Sequence, residues 1–390
     1  MKKSQIELLP IPLIEVLDYE QPNSYIIETP IKEEKGLFPV LTANKSFIKG
    51  YTNETKGVYN DVPVIIFDDF TADYKYVDFP FKVKSSAMKF LTSKSENVNL
   101  KYVYYQMALV KVNTTTHKRY YISFYQNMNF LFPKNKDGSL NFKKQEEIVE
   151  QIETQFTRLD DSIKSLKFVK DKLKVYRKSV LKAAFTGNKW DWKELGNYSE
   201  VVVGYVGPIS KEYTNDPNDI SLLSTKNIDI SGVNLTKLTF INKDFHKKNK
   251  KSQVFPGDIL VARHGESGLS AVIPDDIKEA HALNVIIIKK SKTISSKYLS
   301  FLLNSKILDK INSSKTGSVQ KIINTKVIKD LVIPVASVKE QEELIESIES
   351  SYSIIDKLEQ TVDASLDKAE LLRKSILKSA FEGKLVITND

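Results

Sequence analysis

The chain has no cysteine. Disulfides, thiolate nucleophiles and cysteine-ligated zinc are excluded, and the composition suits a reducing cytoplasm. There are only four histidines, His117, His246, His264 and His281. They are scattered without metal-ligand spacing and are expected on the surface or in loops. No apolar run approaches the ~20 residues that cross a bilayer. The opening MKKSQIELLPIPLIEVL has two lysines but no uninterrupted apolar stretch, so no signal peptide and no membrane association are expected. No two prolines are adjacent, which removes the Asn/Asp-Pro-Pro-aromatic motif of base-extruding methyl transfer. No G-x-x-x-x-G-K-[ST] loop is present to hold the phosphates of ATP.

What is present is a long, basic, globular composition. The 390 residues are 41% hydrophobic and 27% charged, enough for two or three domains. The formal net charge is +9, which suits a polyanionic partner such as nucleic acid.

The chain also repeats itself. QEEIVEQIE begins at Gln145 and QEELIESIE at Gln341; RKSVLKAAFTG begins at Arg177 and RKSILKSAFEG at Arg373. Each later copy stands 196 positions after the earlier, so the stretch needs no gap up to Gly187 and Gly383. Within each copy apolar residues step by three and four. Ile152, Phe156, Leu159, Ile163, Leu166, Leu173 and Val180 line the first; Ile348, Tyr352, Ile355, Val362, Leu366 and Ile376 line the second. That spacing predicts two long helices, each ~65 Å at 1.5 Å per residue, with a narrow apolar seam. The seams can bury each other as an antiparallel pair. Ser337-x-x-Glu340 predicts a capping box for the second helix, and Gly187 and Gly383 suit the left-handed position that closes each one.

The other segments are rich in β-branched and aromatic residues. Val62–Phe70, Lys118–Gln126, Gly257–Arg263 and Leu283–Lys290 read as strands, and Ser295–Ile311 as a helix. The expected plan is α+β. Residues 1–140 form a first mixed α/β globule, 141–188 a long helix, 189–335 a second globule, and 336–390 a long helix with a tail.

This order and wording resemble the specificity subunit of a type I DNA restriction-modification system. The resemblance rests on the two helical repeats, on FPGDILVARHGESG (Phe255–Gly268) and Thr316–Leu344 in the second globule, and on Val40–Ser86 in the first. It implies two target recognition domains, each reading one half of a bipartite site in double-stranded DNA, with the paired helices as spacer and docking region. It implies two modification (methyltransferase) subunits per specificity subunit, joined by restriction subunits. S-adenosylmethionine, ATP and Mg would be used by those partners, with no cofactor, metal or catalytic residue in this chain. The first globule departs from the second in opening with LLPIPLIEVLD where the second has WDWKELG. Two other readings stand beside it: a coiled-coil adaptor carrying two protein-binding globules, and the recognition subunit of a methyltransferase without a restriction partner.

Candidate DNA contacts follow from donor chemistry. Arginine suits guanine, asparagine or glutamine suits adenine, and lysines suit phosphates. In the first globule Asn44, Lys45, Lys49, Tyr51 and Lys56 form one basic, aromatic segment, and Lys75, Tyr76, Lys82, Lys84 and Lys89 another. In the second, Lys247 and Lys248 lie in the basic run Lys243–Lys251. Arg263, His264 and Ser267 lie where a strand turns, and Lys315, Thr316, Ser318, Gln320 and Lys321 in a polar loop. Phe67-Asp68-Asp69-Phe70 with Lys75 would be a cramped place for Mg²⁺ and has no counterpart in the second half, so a turn is expected there.

Overall fold

The structure, a computed structural model, describes residues 7–31, 35–44, 46–112, 119–186, 190–236, 238–264, 268–307, 323–382 and 384. The chain divides into two compact units, residues 1–167 with 363–390 and residues 168–362. Each unit contains one globule and a part of each long helix.

In the first unit a four-stranded antiparallel sheet runs in the order Leu17–Glu20, Met88–Ser93, Val64–Asp68, Tyr74–Val77. A three-stranded sheet combines Ile48–Thr52, Phe38–Leu41 and Lys82–Val83. The central strand explains its unbroken apolar run. Val64 and Ile66 enter a core with Leu41, Tyr59, Phe81 and Phe90. Ile65 and Phe67 enter another with Tyr102, Tyr121, Ile152 and Phe381. A strand buried on both faces needs no polar alternation.

The second unit repeats this logic. Its four-stranded sheet orders Val201–Val203, Val285–Ile288, Ile259–Ala262 and Ser270–Val272. Ile259, Val261, Ile286 and Ile288 face one core, Leu260, Ala262, Val285 and Ile287 the other. A five-stranded sheet with Ile220–Leu223 at its centre completes the globule. The different openings of the globules fold alike. Leu8–Pro12 pairs antiparallel with Asn129–Pro133, and Asp191–Glu194 pairs with Val332–Val335.

One expected strand is not a strand. Over 118–126 the described residues form a helical turn, Tyr120–Ser123, and a 3-10 turn, Tyr125–Asn127. The amides that a neighbouring strand would have used go to Asp69 instead: Tyr120 N–H donates to its carbonyl (2.9 Å) and Tyr121 N–H to its carboxylate (2.9 Å). Tyr120, Tyr121 and Tyr125 then bury their rings. The helix expected over 295–311 is Ser296–Leu302, followed by a wider turn over Leu303–Ile307; the rest lies outside the described residues.

The long helices are Phe142–Ala184 and Val338–Phe381, here the central and C-terminal helices. Asn141 Oδ1 caps the first by accepting from Lys144 N–H (2.9 Å). The Ser337/Glu340 box caps the second, with Ser337 N–H donating to Glu340 Oε2 (2.8 Å). Gly187 and Gly383 lie outside the described residues. The helices pair antiparallel within each unit. In the first, Ile148 and Ile152 share a core with Leu377 and Phe381. In the second, Leu173 and Leu181 share one with Ile348, Tyr352 and Ile355. Ile152, Leu159, Leu173, Ile348, Tyr352, Ile355 and Val362 are buried. Phe156, Ile163, Leu166, Val180, Leu366 and Ile376 are half-buried. Val180 and Ile376 yield the deepest positions to their neighbours Leu181 (0% exposed) and Leu377 (4%).

Candidate nucleic-acid interface

Each globule reaches the helix pair through a short helix, Leu100–Met107 in the first unit and Ser296–Leu302 in the second. The same contacts recur at the 196-position offset, with one added carboxylate in the second unit. Lys101 pairs with Glu153, and Lys297 with Glu349, both at 2.6 Å. The Tyr102 ring meets Phe381 at 5.1 Å, and the Tyr298 ring meets Phe185 at 5.5 Å. Arg373 lies over Phe156 (4.5 Å) and pairs with Asp160. Arg177 lies over Tyr352 (4.6 Å) and pairs with Asp356 and Glu359. The repeat thus extends to Lys101-Tyr102 and Lys297-Tyr298 on these short helices, where QEE and RKS gave no hint of it.

The candidate DNA contacts of the first globule separate into two groups. Lys49, Lys56 and Lys84 are exposed and belong to the three-stranded sheet or its connections. Tyr51 is half-buried in the same sheet. Asn44 Oδ1 accepts from the hydroxyls of Thr42 and Ser46, which shapes the turn into Ile48–Thr52. The other group lies deeper. Lys89 is 1% exposed, 3.4 Å from the Asp69 carboxylate and over the Tyr19 ring at 4.3 Å, so it has no route to a phosphate. Lys82 is also buried. Its ammonium sits on Glu54 and, with Thr29, holds that carboxyl at about 2. Tyr76 is half-buried, covered by Lys101 at 5.3 Å and by Tyr104 at 5.9 Å, so its ring is not a free stacking platform. Lys75, half-buried, shares its edge strand. The Asp68-Asp69 pair is a turn: Asp68 Oδ1 accepts from the amides of Phe70 and Thr71.

In the second globule the basic run is a helix, Lys243–Lys248, followed by a 3-10 turn, Lys250–Ser252. Lys247, Lys248, Lys250 and Lys251 are exposed. His246 points inward, and its Nδ1 is 3.2 Å from Nδ1 of buried His281. Its Nε2 is 3.2 Å from Glu279. Two histidines expected to be scattered are therefore neighbours, and sequence spacing carries no signal for this. Burial, and then the facing His246, lower the His281 pKa to about 4. Among the described residues no cluster of His, Cys, Asp and Glu has the make-up of a metal site. His264 is exposed. Arg263 is half-buried, and its guanidinium donates to Ile323 O (3.3 Å) and Asn284 Oδ1 (3.0 Å). It anchors backbone rather than offering a free fork. Lys45, Ser267, Lys315, Thr316, Ser318, Gln320 and Lys321 lie outside the described residues.

Two globules joined to one helix pair by duplicated contacts, with lysines displayed on each, invite comparison with known proteins. The specificity subunit of the type I restriction enzyme EcoR124I/EcoR124II of Escherichia coli is 31% identical over 374 residues, covering 93% of this chain and 91% of that one. This chain belongs to the type I restriction enzyme specificity subunits. The family model described as the type I restriction modification DNA specificity domain matches residues 187–368, which take in the second globule and much of the C-terminal helix. The HsdS subunit from Thermoanaerobacter tengcongensis has the same fold, with a TM-score of 0.55, 14% identity and 97% of each chain covered. So does a chain solved in work on complex assembly and conformational transition of the type I R-M system. Its TM-score is 0.69 at 13% identity, with 97% of this chain and 98% of that chain covered. In this specificity subunit, no helix among the described residues is long and apolar enough to cross a membrane.

Proposed function

We propose that each globule reads one half of a bipartite site in double-stranded DNA and that the helix pair sets the spacer between the halves. The observation that carries this is the duplicated joint: one attachment used twice suits one task done twice. Lys49, Lys56 and Lys84 contact phosphates for the first half-site, and Lys247 and Lys248 for the second. The chain chooses the site and leaves chemistry to its partners. Two modification subunits use S-adenosylmethionine, and restriction subunits use ATP and Mg. The complex works in the cytoplasm, where its DNA is. Replacing residues 190–335 with another recognition domain tests the reading. Methylome sequencing in a host carrying the modification subunits should show one half-site changed and the other kept. A change in both halves contradicts independent reading.

A further inference from the structure

Two buried glutamines have no role in the seam. Gln145 is 0% exposed and Gln341 is 2% exposed, each in the first turn of a long helix. A leucine would fill either space and suit the core better, so the amide groups are what the position uses. Gln145 Oε1 accepts from Asn99 N–H (2.9 Å), and its Nε2 donates to Asn97 O (2.8 Å). Gln341 Oε1 accepts from Ser295 N–H (2.7 Å), and its Nε2 donates to Thr293 O (3.3 Å) and Ala336 O (2.9 Å). Asn99 and Ser295 are the residues that open the two short docking helices, and they too stand 196 positions apart.

We infer that Gln145 and Gln341 are positioning residues that fix the angle at which each recognition globule leaves the helix pair, and so make the subunit strict about spacer length. The inference rests on the bipartite reading above and deepens it. Apolar contacts resist separation but tolerate sliding and rotation, because they are not directional. Hydrogen bonds to an amide and a carbonyl of one loop are directional. With the Lys–Glu pair and the aromatic pair, each latch gives a globule three separate points of attachment. Three such points determine the orientation of a rigid body.

Two kinds of variant isolate the latch. In Gln341→Glu the ionised carboxylate still accepts from Ser295 but turns an oxygen toward the carbonyls of Thr293 and Ala336. Protonation restores the missing donor, and burial beside carbonyl oxygens raises the pKa at which this happens. In Ser295→Pro the donated N–H is lost together with a hydroxyl that makes no cap hydrogen bond, and Ser295 has φ −61°, which proline adopts. The full chain is co-expressed with its modification subunits, and methyl transfer is measured on duplexes differing by one base pair of spacer. The native complex should prefer one spacer. The preference should fall about tenfold in Ser295→Pro, the worth of one buried hydrogen bond, with both half-sites unchanged. In Gln341→Glu it should fall at pH 8 and recover at pH 6. If Gln341→Glu does not assemble at pH 8, Ser295→Pro carries the test alone. Variants that lose activity or stability with the spacer preference intact would make the glutamines merely structural and overturn the inference. A native complex with no bipartite target at all would overturn the proposed function instead.

Discussion

Lys84 and Lys89 lie close together in the sequence and have opposite fates. Lys84 is exposed after a strand, and Lys89 is buried against Asp69 and Tyr19. Removing Lys89 strands a buried carboxylate, so Lys89→Ala should cost about 3–5 kcal/mol in urea unfolding. Lys84→Ala should leave stability within about 0.5 kcal/mol and reduce the salt slope of DNA binding by about one. The sequence shows both as lysines in a basic segment. Which one faces inward depends on strand register and on Asp69, a partner twenty positions away in the chain. His281 makes a second case. Its pKa is about 4 in the fold because burial, then His246, disfavours its charge; unfolded, a histidine titrates near ~6.5. The unfolded chain therefore binds the extra proton between these values, and stability rises with pH across that window. Full stability is present above about pH 6.5 and falls as the pH drops toward 4, by up to about 3 kcal/mol. Glu279, just before the strand that carries His281, and Tyr205 also approach this pair of histidines. His281→Gln should flatten the unfolding midpoint measured from pH 7 to pH 5. A midpoint as steep as the native one would show that another group governs the slope.

At the scale of elements, the two long helices were the most legible part of the sequence. Their seams repeat over many turns, no glycine or proline interrupts them, and two copies confirm each other. The buried strands were legible as short apolar runs, though periodicity could not tell that their two faces enter different cores. The segment 118–126 was misread because aromatic content favours strands, whereas Asp69 binds its amides and so turns the chain. The docking contacts were hidden because Lys101, Tyr102, Lys297 and Tyr298 fall in globules whose sequences otherwise differ. The helix pair offers an internal control. Arg177 and Arg373 are equivalent, yet the side chain of Arg177 is 8% exposed with two carboxylates, and that of Arg373 is 38% exposed with one. Arg177→Ala removes a buried guanidinium from the Tyr352 ring and leaves exposed Asp356 and partly exposed Glu359 unpaired, and should cost about 1–3 kcal/mol. Arg373→Ala loses a solvent-screened pair and should cost less than about 1 kcal/mol beyond its ring contact. Equal losses in denaturant titrations would mean that burial does not set the difference.

At the scale of the molecule, the two arginine clamps define what a change of length must respect. Asp160 and Arg177 on the central helix are separated by the same number of residues as Asp356 and Arg373 on the C-terminal helix. The clamps pair Asp160 with Arg373 and Arg177 with Asp356. Lengthening both helices equally between these points keeps the separation of the clamp residues on one helix equal to that on the other. Ser165 and Thr361 lie between the clamps at equivalent positions of the repeat. Four residues add slightly more than one turn and ~6 Å at 1.5 Å per residue, which is under two base pairs at ~3.4 Å each. Two residues would instead rotate the downstream seam by about 200° and turn its apolar face to water. Four-residue insertions after both Ser165 and Thr361 should thus give a folded subunit whose spacer is one or two base pairs longer, with both half-sites unchanged. The two-residue pair should fail to assemble with the modification subunits. Methylome sequencing of a host carrying each variant reads spacer and half-sites together. A four-residue double insertion that assembles and still methylates at the native spacing would remove the helix pair from the measurement of distance, whatever the globules recognise.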